Sequence, residues 1–107
     1  MSYDVTVGDV FSGNYTRNLS KLFHEHIQSG DDTGLQALHG LTGAEALMLL
    51  SDAFDRLQNT RRYQEDIRLA QYDAPNSWGT AMGAVIFLGQ IMAACAKYPD
   101  ETVTVYA

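Results

Sequence analysis

The chain has 107 residues, of which 46% are hydrophobic and 19% are charged, and its net charge is −6. This composition excludes a disordered chain and predicts one small domain with its own hydrophobic core. The acidic balance argues against nucleic-acid binding, because that binding requires a basic surface that displaces counterions. The acidic residues are scattered, which indicates solubility rather than mimicry of a polyanion.

The single cysteine, Cys95, excludes an intrachain disulfide. The first residues, "MSYDVTVGDV", lack the basic and apolar regions of a secretory signal. From these two features we expect a cytoplasmic protein. The acidic charge argues against a nucleic acid as its partner, and the composition of the last helix, described below, argues against a membrane.

The two ends of the chain alternate apolar and polar residues, which is typical of half-buried strands. "YDVTV" places Val5 and Val7 on one side, and "ETVTVYA" does the same with Val103 and Val105. Strands so far apart in sequence cannot form a tight hairpin. Our hypothesis is that they pair with each other across the domain.

A first helix is predicted over residues 13–30, where apolar side chains recur at helical spacing. Asn14 or Thr16 can cap its start, and Gly30 suits its end. The predicted inward face consists of Leu19, Leu22, Phe23, His26 and Ile27. The glycine-containing stretch after Gly30 is expected to be a loop or a short irregular helix.

The second helix has the clearest start signal. "TGAE" is a capping box, with Thr42 as the N-cap and Glu45 three residues later. An apolar stripe behind it predicts a helix over residues 43–58. The more polar residues that follow are helical as well, either in continuation or after a break at Asn59–Thr60.

The last helix is expected to open at "NSWG", with Asn76 or Ser77 as its cap and Trp78 in its first turn. Its side chains are nearly all apolar, which predicts a central helix packed closely over its glycines, Gly79, Gly83 and Gly89. The predicted fold is therefore mainly α within the α+β class. It is a small helical bundle of three to four helices in one domain over residues 1–107, with short N- and C-terminal strands that can pair.

A uniformly apolar helix also admits two other interpretations. One face left uncovered by a small bundle would make a homodimer through this helix. A membrane span is disfavoured, because the stretch is rich in glycine and alanine and its flanks carry acidic residues as well as Lys97.

The polar residues do not form a recognisable catalytic, cofactor or metal motif. In "HEH", His24 and His26 lie two positions apart and would point about 200° apart on a helix, so they cannot chelate one metal ion. His26 is predicted to be a hydrogen-bonded core residue, and His24 to be solvated. Asp52 and Asp55 are expected on a solvated helix face, and Cys95 to be an inert buried thiol.

Two polar groups are candidates for binding a ligand or a partner. Arginines cluster within residues 56–68, where pairing with acidic neighbours on the same helix is the alternative. The amides and hydroxyls near residue 16 exceed what one helix cap needs, and hydrogen bonding to the loop before Trp78 is their alternative use. The candidate ligand- or partner-binding residues are Asn14, Thr16, Asn18, Trp78, Arg61 and Arg62.

Three stretches, "NYTRNLSKL", "NSWGT" and "FLGQIMAACAKYPDETVTV", together resemble a family of small proteins encoded by actinobacterial phages and their hosts. That family carries Asn-x-Thr-x-Asn, Asn-Gly-Trp-Gly, Ala-Cys, Pro-Asp and a valine-rich strand. Ser77 stands where the family has glycine, so the turn before Trp78 is expected to differ, and residues 30–72 do not match. The matching positions are Asn14, Thr16, Asn18, Asn76, Trp78, Gly79, Ala94, Cys95, Pro99, Asp100, Val103 and Val105.

The resemblance implies a phage origin and a cytosolic protein of the infected host cell, and it implies no activity. We therefore expect a non-catalytic accessory protein that binds a host or phage protein. The alternative is a binding or sequestering protein for a nucleotide-like ligand, for which Trp78 and the arginines would supply a stacking face and charge. An enzyme using Asp52, Asp55 and a histidine, and a membrane-acting protein, are the less favoured classes.

Overall fold

The computed structural model describes residues 2–70 and 80–106, with residues 58–70 and 81 described by their backbone only. Its elements form an α+β fold in which helices pack against an antiparallel sheet. The strands are β1 (Ser2–Val7), β2 (Phe11–Thr16), β3 (Gln28–Ser29), β4 (Asp32–Thr33) and β5 (Val103–Tyr106). The α-helices are α1 (Ser20–His26), α2 (Gly43–Ala70) and α3 (Ala81–Lys97), with 3₁₀ turns at Arg17–Leu19 and Leu35–Leu38.

The predicted helical bundle is therefore wrong. A three-stranded sheet in the order β2–β1–β5 takes the place of helix-on-helix packing on one side of the core. The predicted pairing of the terminal strands is confirmed: β1 and β5 are antiparallel, with Val5 opposite Val105 and Val7 opposite Val103. All four valines are buried on the inner face of the sheet.

The first predicted helix begins too early, because residues 11–16 form β2 instead. β1 and β2 are joined by a short turn at Gly8, whose φ of 51° favours glycine, and they pair along their whole length. The sequence signal for this strand is that every second residue, namely Phe11, Gly13 and Tyr15, faces the core. Pairing with β1 satisfies the backbone of this short segment, whereas an isolated helical turn would not.

The helical part of this region is short. The Thr16 hydroxyl caps the first 3₁₀ turn by accepting the N–H of Asn18 at 3.2 Å, so one of the two predicted caps is confirmed at a different kind of helix. α1 then ends at His26, and β3 and β4 form a hairpin around Gly30. The apolar residues of the predicted inward face are fully buried, and His26 is half-buried.

The capping box of α2 is confirmed. The Glu45 N–H donates to the Thr42 hydroxyl at 3.2 Å, and the Thr42 N–H donates to the Glu45 carboxylate at 3.0 Å. α2 runs without a break to Ala70, so the predicted end at residue 58 is wrong and the continuous alternative holds. Asn59 and Thr60 are weak helix formers, but neither is a proline or glycine that would end a helix.

α3 begins later than predicted. Its N-cap is Thr80, whose hydroxyl accepts the N–H of Gly83 at 3.0 Å, in place of the predicted Asn76 or Ser77. Asn76, Ser77, Trp78 and the predicted glycine contact at Gly79 lie outside the described residues.

α3 packs between the sheet and α2, as its apolar character predicts. Phe87 lies against β2, and Gly89 faces Phe54 of α2. At the opposite end, Gly43 of α2 lies directly against the carbonyl groups of Cys95 and Tyr98, where a Cβ atom would not fit. The two helices therefore approach each other closely through glycine at one end and through an aromatic ring at the other.

The outer edge of β5 is closed by the chain segment before α2. The Val103 N–H donates to the Leu41 carbonyl and its own carbonyl accepts from Gly40, both at 2.8 Å. One residue pair further along, the Val105 N–H donates to Nδ1 of His39 at 3.0 Å. An imidazole nitrogen therefore stands where a fourth strand would supply a carbonyl.

The carboxylate of Glu45 makes stability depend on pH. The hydrogen bond from the Thr42 backbone and then that from its hydroxyl lower the pKa of Glu45 below its ordinary value of 4.5. Since the folded pKa lies below the unfolded one, this stabilisation is present above the unfolded pKa and is lost as pH falls through the folded pKa. Glu45→Gln keeps an acceptor but no charge, so we expect it to lower the free energy of unfolding near pH ~7 and to matter less near pH ~3. A difference between the two proteins that stays constant in denaturant titrations across this range would contradict the assignment.

The role of His39 can be tested by keeping or removing its acceptor. His39→Leu leaves the Val105 N–H without a partner and should lower the free energy of unfolding by about 1 kcal/mol or more. His39→Asn places an amide oxygen at the same distance from the backbone, so it should avoid most of that loss of stability. Hydrogen exchange at the Val105 amide is the direct readout: it should accelerate in His39→Leu and not in His39→Asn. Equal exchange in all three proteins would show that the bond does not form.

Candidate functional site

The start of α3 is fixed by the hydroxyl of Tyr15 on β2. That hydroxyl donates to the Thr80 carbonyl at 2.9 Å and accepts the Thr80 N–H at 3.0 Å. The Thr80 side chain in turn caps α3. One phenol therefore hydrogen-bonds to both backbone groups of the residue before the helix, and it holds the start of α3 against β2.

The ring of Tyr15 also fixes the position of α3 relative to β2. It stacks on Phe87 with 5.6 Å between centroids and meets Phe23 of α1 edge-on at 6.5 Å. Its hydroxyl lies so close to Gly83 that a Cβ atom there would collide with it. Aromatic contacts and a missing side chain together seat α3 on β2 in one orientation.

The opposite side of α3 faces outwards and is mostly apolar. Residues 82, 86, 90 and 93 lie within one arc of the helix, since each residue advances it by about 100°. Ile86 is 56% exposed and Met82 is 39% exposed. We call this surface the α3 stripe; it consists of Met82, Ile86, Gln90 and Ala93.

A half-buried aromatic residue of α2 borders the α3 stripe. The ring of Phe54 lies against Gly89, the small residue beside the stripe. Exposed large apolar side chains that adjoin half-buried ones are typical of protein interaction surfaces. In the sequence, the hint of this surface is Gln90, the one strongly polar side chain between Ala81 and Ala96.

The structure describes three of the predicted binding residues, all in the N-terminal region. Asn14 is exposed on the outer face of β2, and Thr16 uses its hydroxyl as a cap. Asn18 is exposed in the following 3₁₀ turn. Among the polar groups of this region, the Thr16 hydroxyl thus has a structural use, and so does the Tyr15 hydroxyl, which bonds to the backbone of Thr80. Binding of a ligand or partner by Asn14, Thr16 and Asn18 stays a prediction.

The other predicted binding residues are not placed by the structure. Trp78 lies outside the described residues, and so do the side chains of Arg61 and Arg62, whose backbone belongs to α2. Of the arginine cluster, Arg56 is described: it donates to the carbonyl of His26, at the end of α1. This bond ties α1 to α2, and the predicted pairing along the same helix stays a prediction.

The histidines make local hydrogen bonds. His26 is half-buried and its Nδ1 bonds to the carbonyl of Leu22 at 2.8 Å, which confirms the predicted hydrogen-bonded residue. His24 is exposed and bonds through Nδ1 to the hydroxyl of Thr33 at 2.7 Å. In the part of the chain that the structure describes, no three His, Cys, Asp or Glu side chains are placed to hold a metal ion.

The remaining candidates for chemistry are two carboxylates and one thiol. Asp52 and Asp55 are exposed on α2, which agrees with a solvated face. Cys95 is fully buried, and burial raises the pKa of its thiol. The predicted burial of Cys95 is therefore confirmed, and its inertness, which a buried thiol of raised pKa favours, stays a prediction.

Comparison with protein-family models, with curated proteins and with solved structures finds no match to this chain. Among the described helices, none combines the length and the apolar character that crossing a membrane requires.

The contact between Tyr15 and Gly83 can be tested with a pair of glycine substitutions. Gly83→Ala displaces the Tyr15 hydroxyl, and we expect the free energy of unfolding to fall by about 1–2 kcal/mol, since overpacking costs more than the improved helix propensity returns. Gly89→Ala is the matched control, because a Cβ atom there would lie 3.9 Å from the Phe54 ring, an ordinary contact.

Gly89→Ala should leave stability unchanged or raise it by up to about 1 kcal/mol. Denaturant titration of the three proteins measures both effects. Equal stability of the two variants would show that Tyr15 does not fix the position of α3.

Proposed function

We propose that this protein is a non-catalytic binding protein and that it binds a host or phage protein through the α3 stripe. The observation that carries the proposal is the exposure of Ile86 and Met82 on a helix with no charge between Ala81 and Ala96. Burying such a surface against another protein releases water from apolar groups and meets no charge that would have to be desolvated.

The resemblance of the motifs suggests the setting of this proposal. It implies a phage-encoded accessory protein that would act in the cytoplasm of an infected actinobacterial cell. The stripe is small compared with a complete interface, which buries about 800 Å² on each partner. Phe54 of α2, at the border of the stripe, would therefore form part of the same contact.

The geometry of α3 suits a binding surface. The helix is held on its inner side by the hydrogen bonds of Tyr15 and by the stacking on Phe87. Ile86 is therefore presented on a backbone that needs no ordering when a partner binds, which keeps the entropic cost of association low.

The test compares capture of proteins by three immobilised forms of the chain from an actinobacterial lysate. Wild-type protein is expected to retain a partner that Ile86→Lys retains at least tenfold more weakly, because a buried isoleucine contributes about 1.5–3 kcal/mol and a lysine there must be desolvated. Met48→Lys is the matched control: Met48 is 74% exposed on α2, outside the stripe. It should capture the partner as the wild type does.

Two results would contradict the proposal. One is the same set of captured proteins with the wild type and with Ile86→Lys. The other is a change in the mass of the free protein caused by Ile86→Lys, which would assign the stripe to self-association, the homodimer through the last helix that the sequence also allows.

A further inference from the structure

The two edges of the three-stranded sheet differ. The outer edge of β5 is occupied by hydrogen bonds to residues 39–41, with His39 completing the series. The other edge belongs to β2, and among the described strands β1 is the only one that pairs with β2.

The alternation of an antiparallel ladder shows which groups of β2 face this edge. The backbone N–H and C=O of Val103 point away from β1 and bond to Leu41 and Gly40. Because the direction alternates along a strand, the backbone groups of the next residue, Thr104, bond to Thr6 of β1. The backbone groups of Val5, the residue before Thr6 in β1, therefore point to the opposite side, towards β2.

Val5 is the partner of Gly13, so Gly13 directs its backbone groups to β1. Ser12 and Asn14, on either side, then direct their N–H and C=O groups away from the sheet. The side chains of both are exposed on its outer face. The edge of β2 thus presents an ordered row of backbone donors and acceptors.

β2 lacks the features that normally protect such an edge. Its sequence, "FSGNYT", contains no charged residue and no proline. It pairs with β1 residue for residue, without a bulge that would twist it away. Edges of this kind are templates for pairing with another strand.

We propose that the edge of β2 pairs with β2 of a second copy of this chain, so that two sheets join into one. An antiparallel pairing centred on Gly13 is self-complementary. It places Ser12 opposite Asn14 of the second copy, and by symmetry Asn14 opposite Ser12 of the second copy. These are the residues whose backbone groups point outwards, so the register satisfies both edges at once.

The side chains fit the same register. On the outer face, the Ser12 hydroxyl meets an Asn14 amide, with which it can hydrogen-bond. On the inner face, half-buried Phe11 lies opposite half-buried Tyr15 of the second copy, which buries more aromatic surface. Gly13 meets Gly13 of the second copy at the axis and leaves room for a close approach.

The charge of the molecule favours this strand for self-pairing. Each copy carries a net charge of −6, so two copies repel unless they meet on an uncharged surface, and β2 is one. The pairing does not depend on the function proposed for the α3 stripe, which lies on the outer side of a helix.

The experiment measures the mass of the purified full chain by sedimentation equilibrium over a range of concentrations. Wild-type protein should show twice the chain mass of 11.8 kDa and dissociate on dilution. The double variant S12K/N14K places like charges opposite each other in both symmetric pairs, and we expect its dissociation constant to rise tenfold or more. S12K/N14E alters the same two positions but places opposite charges together, and it should dimerise at least as tightly as the wild type.

The two double variants separate this register from general effects. The added positive charges of S12K/N14K make the acidic protein less negative, so a weaker dimer cannot come from overall repulsion. Equal weakening in both would overturn the proposed register. A single-chain mass for the wild type at the highest concentration would overturn the dimer itself.

A proline variant provides an independent test of the edge. Asn14→Pro removes an N–H that faces outwards and bonds to nothing within the sheet, so the fold should persist, as judged by circular dichroism and thermal unfolding. The dimer should be lost, because the edge is blocked on both copies. A dimer that survives Asn14→Pro, or that is lost in Ile86→Lys instead, would move the interface away from β2.

Discussion

The hydrogen bonding of β1 on both of its sides is the constraint on which the rest of the structure depends. β1 is the middle strand, paired to β2 by a tight turn and to β5 from the other end of the chain. Val5 and Val7 can be fully buried only because both neighbours satisfy the backbone around them. This sheet then provides the surface on which α3 lies, and closing the chain through β5 brings the end of α3 against the start of α2.

The second determinant is the hydroxyl of Tyr15. The stretch before α3 offers several residues able to cap a helix, and sequence alone does not rank them. The bonds from Tyr15 to Thr80 span 65 positions and select Thr80. Because the selection is made by a residue of β2, the start of α3 could not be predicted without knowing that residues 11–16 form a strand.

Features that depend on neighbouring residues were predictable, whereas of those that depend on distant partners only the pairing of the two terminal strands was. The capping box of Thr42 and Glu45 lies within one helical turn and could be read directly. β2 was missed because Asn14 and Thr16 imitate a helix cap, while its pairing with β1 carries only a weak alternating signal. The side chain of His39 accepts the bond that a strand carbonyl would otherwise accept. Such a replacement leaves no recognisable pattern in the sequence. For the candidate surface, the nearly all-apolar sequence of α3 indicates that the helix is central. It does not indicate which side of the helix the sheet and α2 leave exposed.

Tyr15 joins the two surfaces proposed for binding. It belongs to β2, where its inner-face position would meet a second copy, and it anchors Thr80 at the start of the helix that carries Met82 and Ile86. If both surfaces bind as proposed, a second copy packed on the Tyr15 ring would contact the residue that positions the first turn of α3. Any coupling between the two surfaces through Tyr15 would be reciprocal, so the effect of strand pairing on partner binding would equal the effect of partner binding on strand pairing.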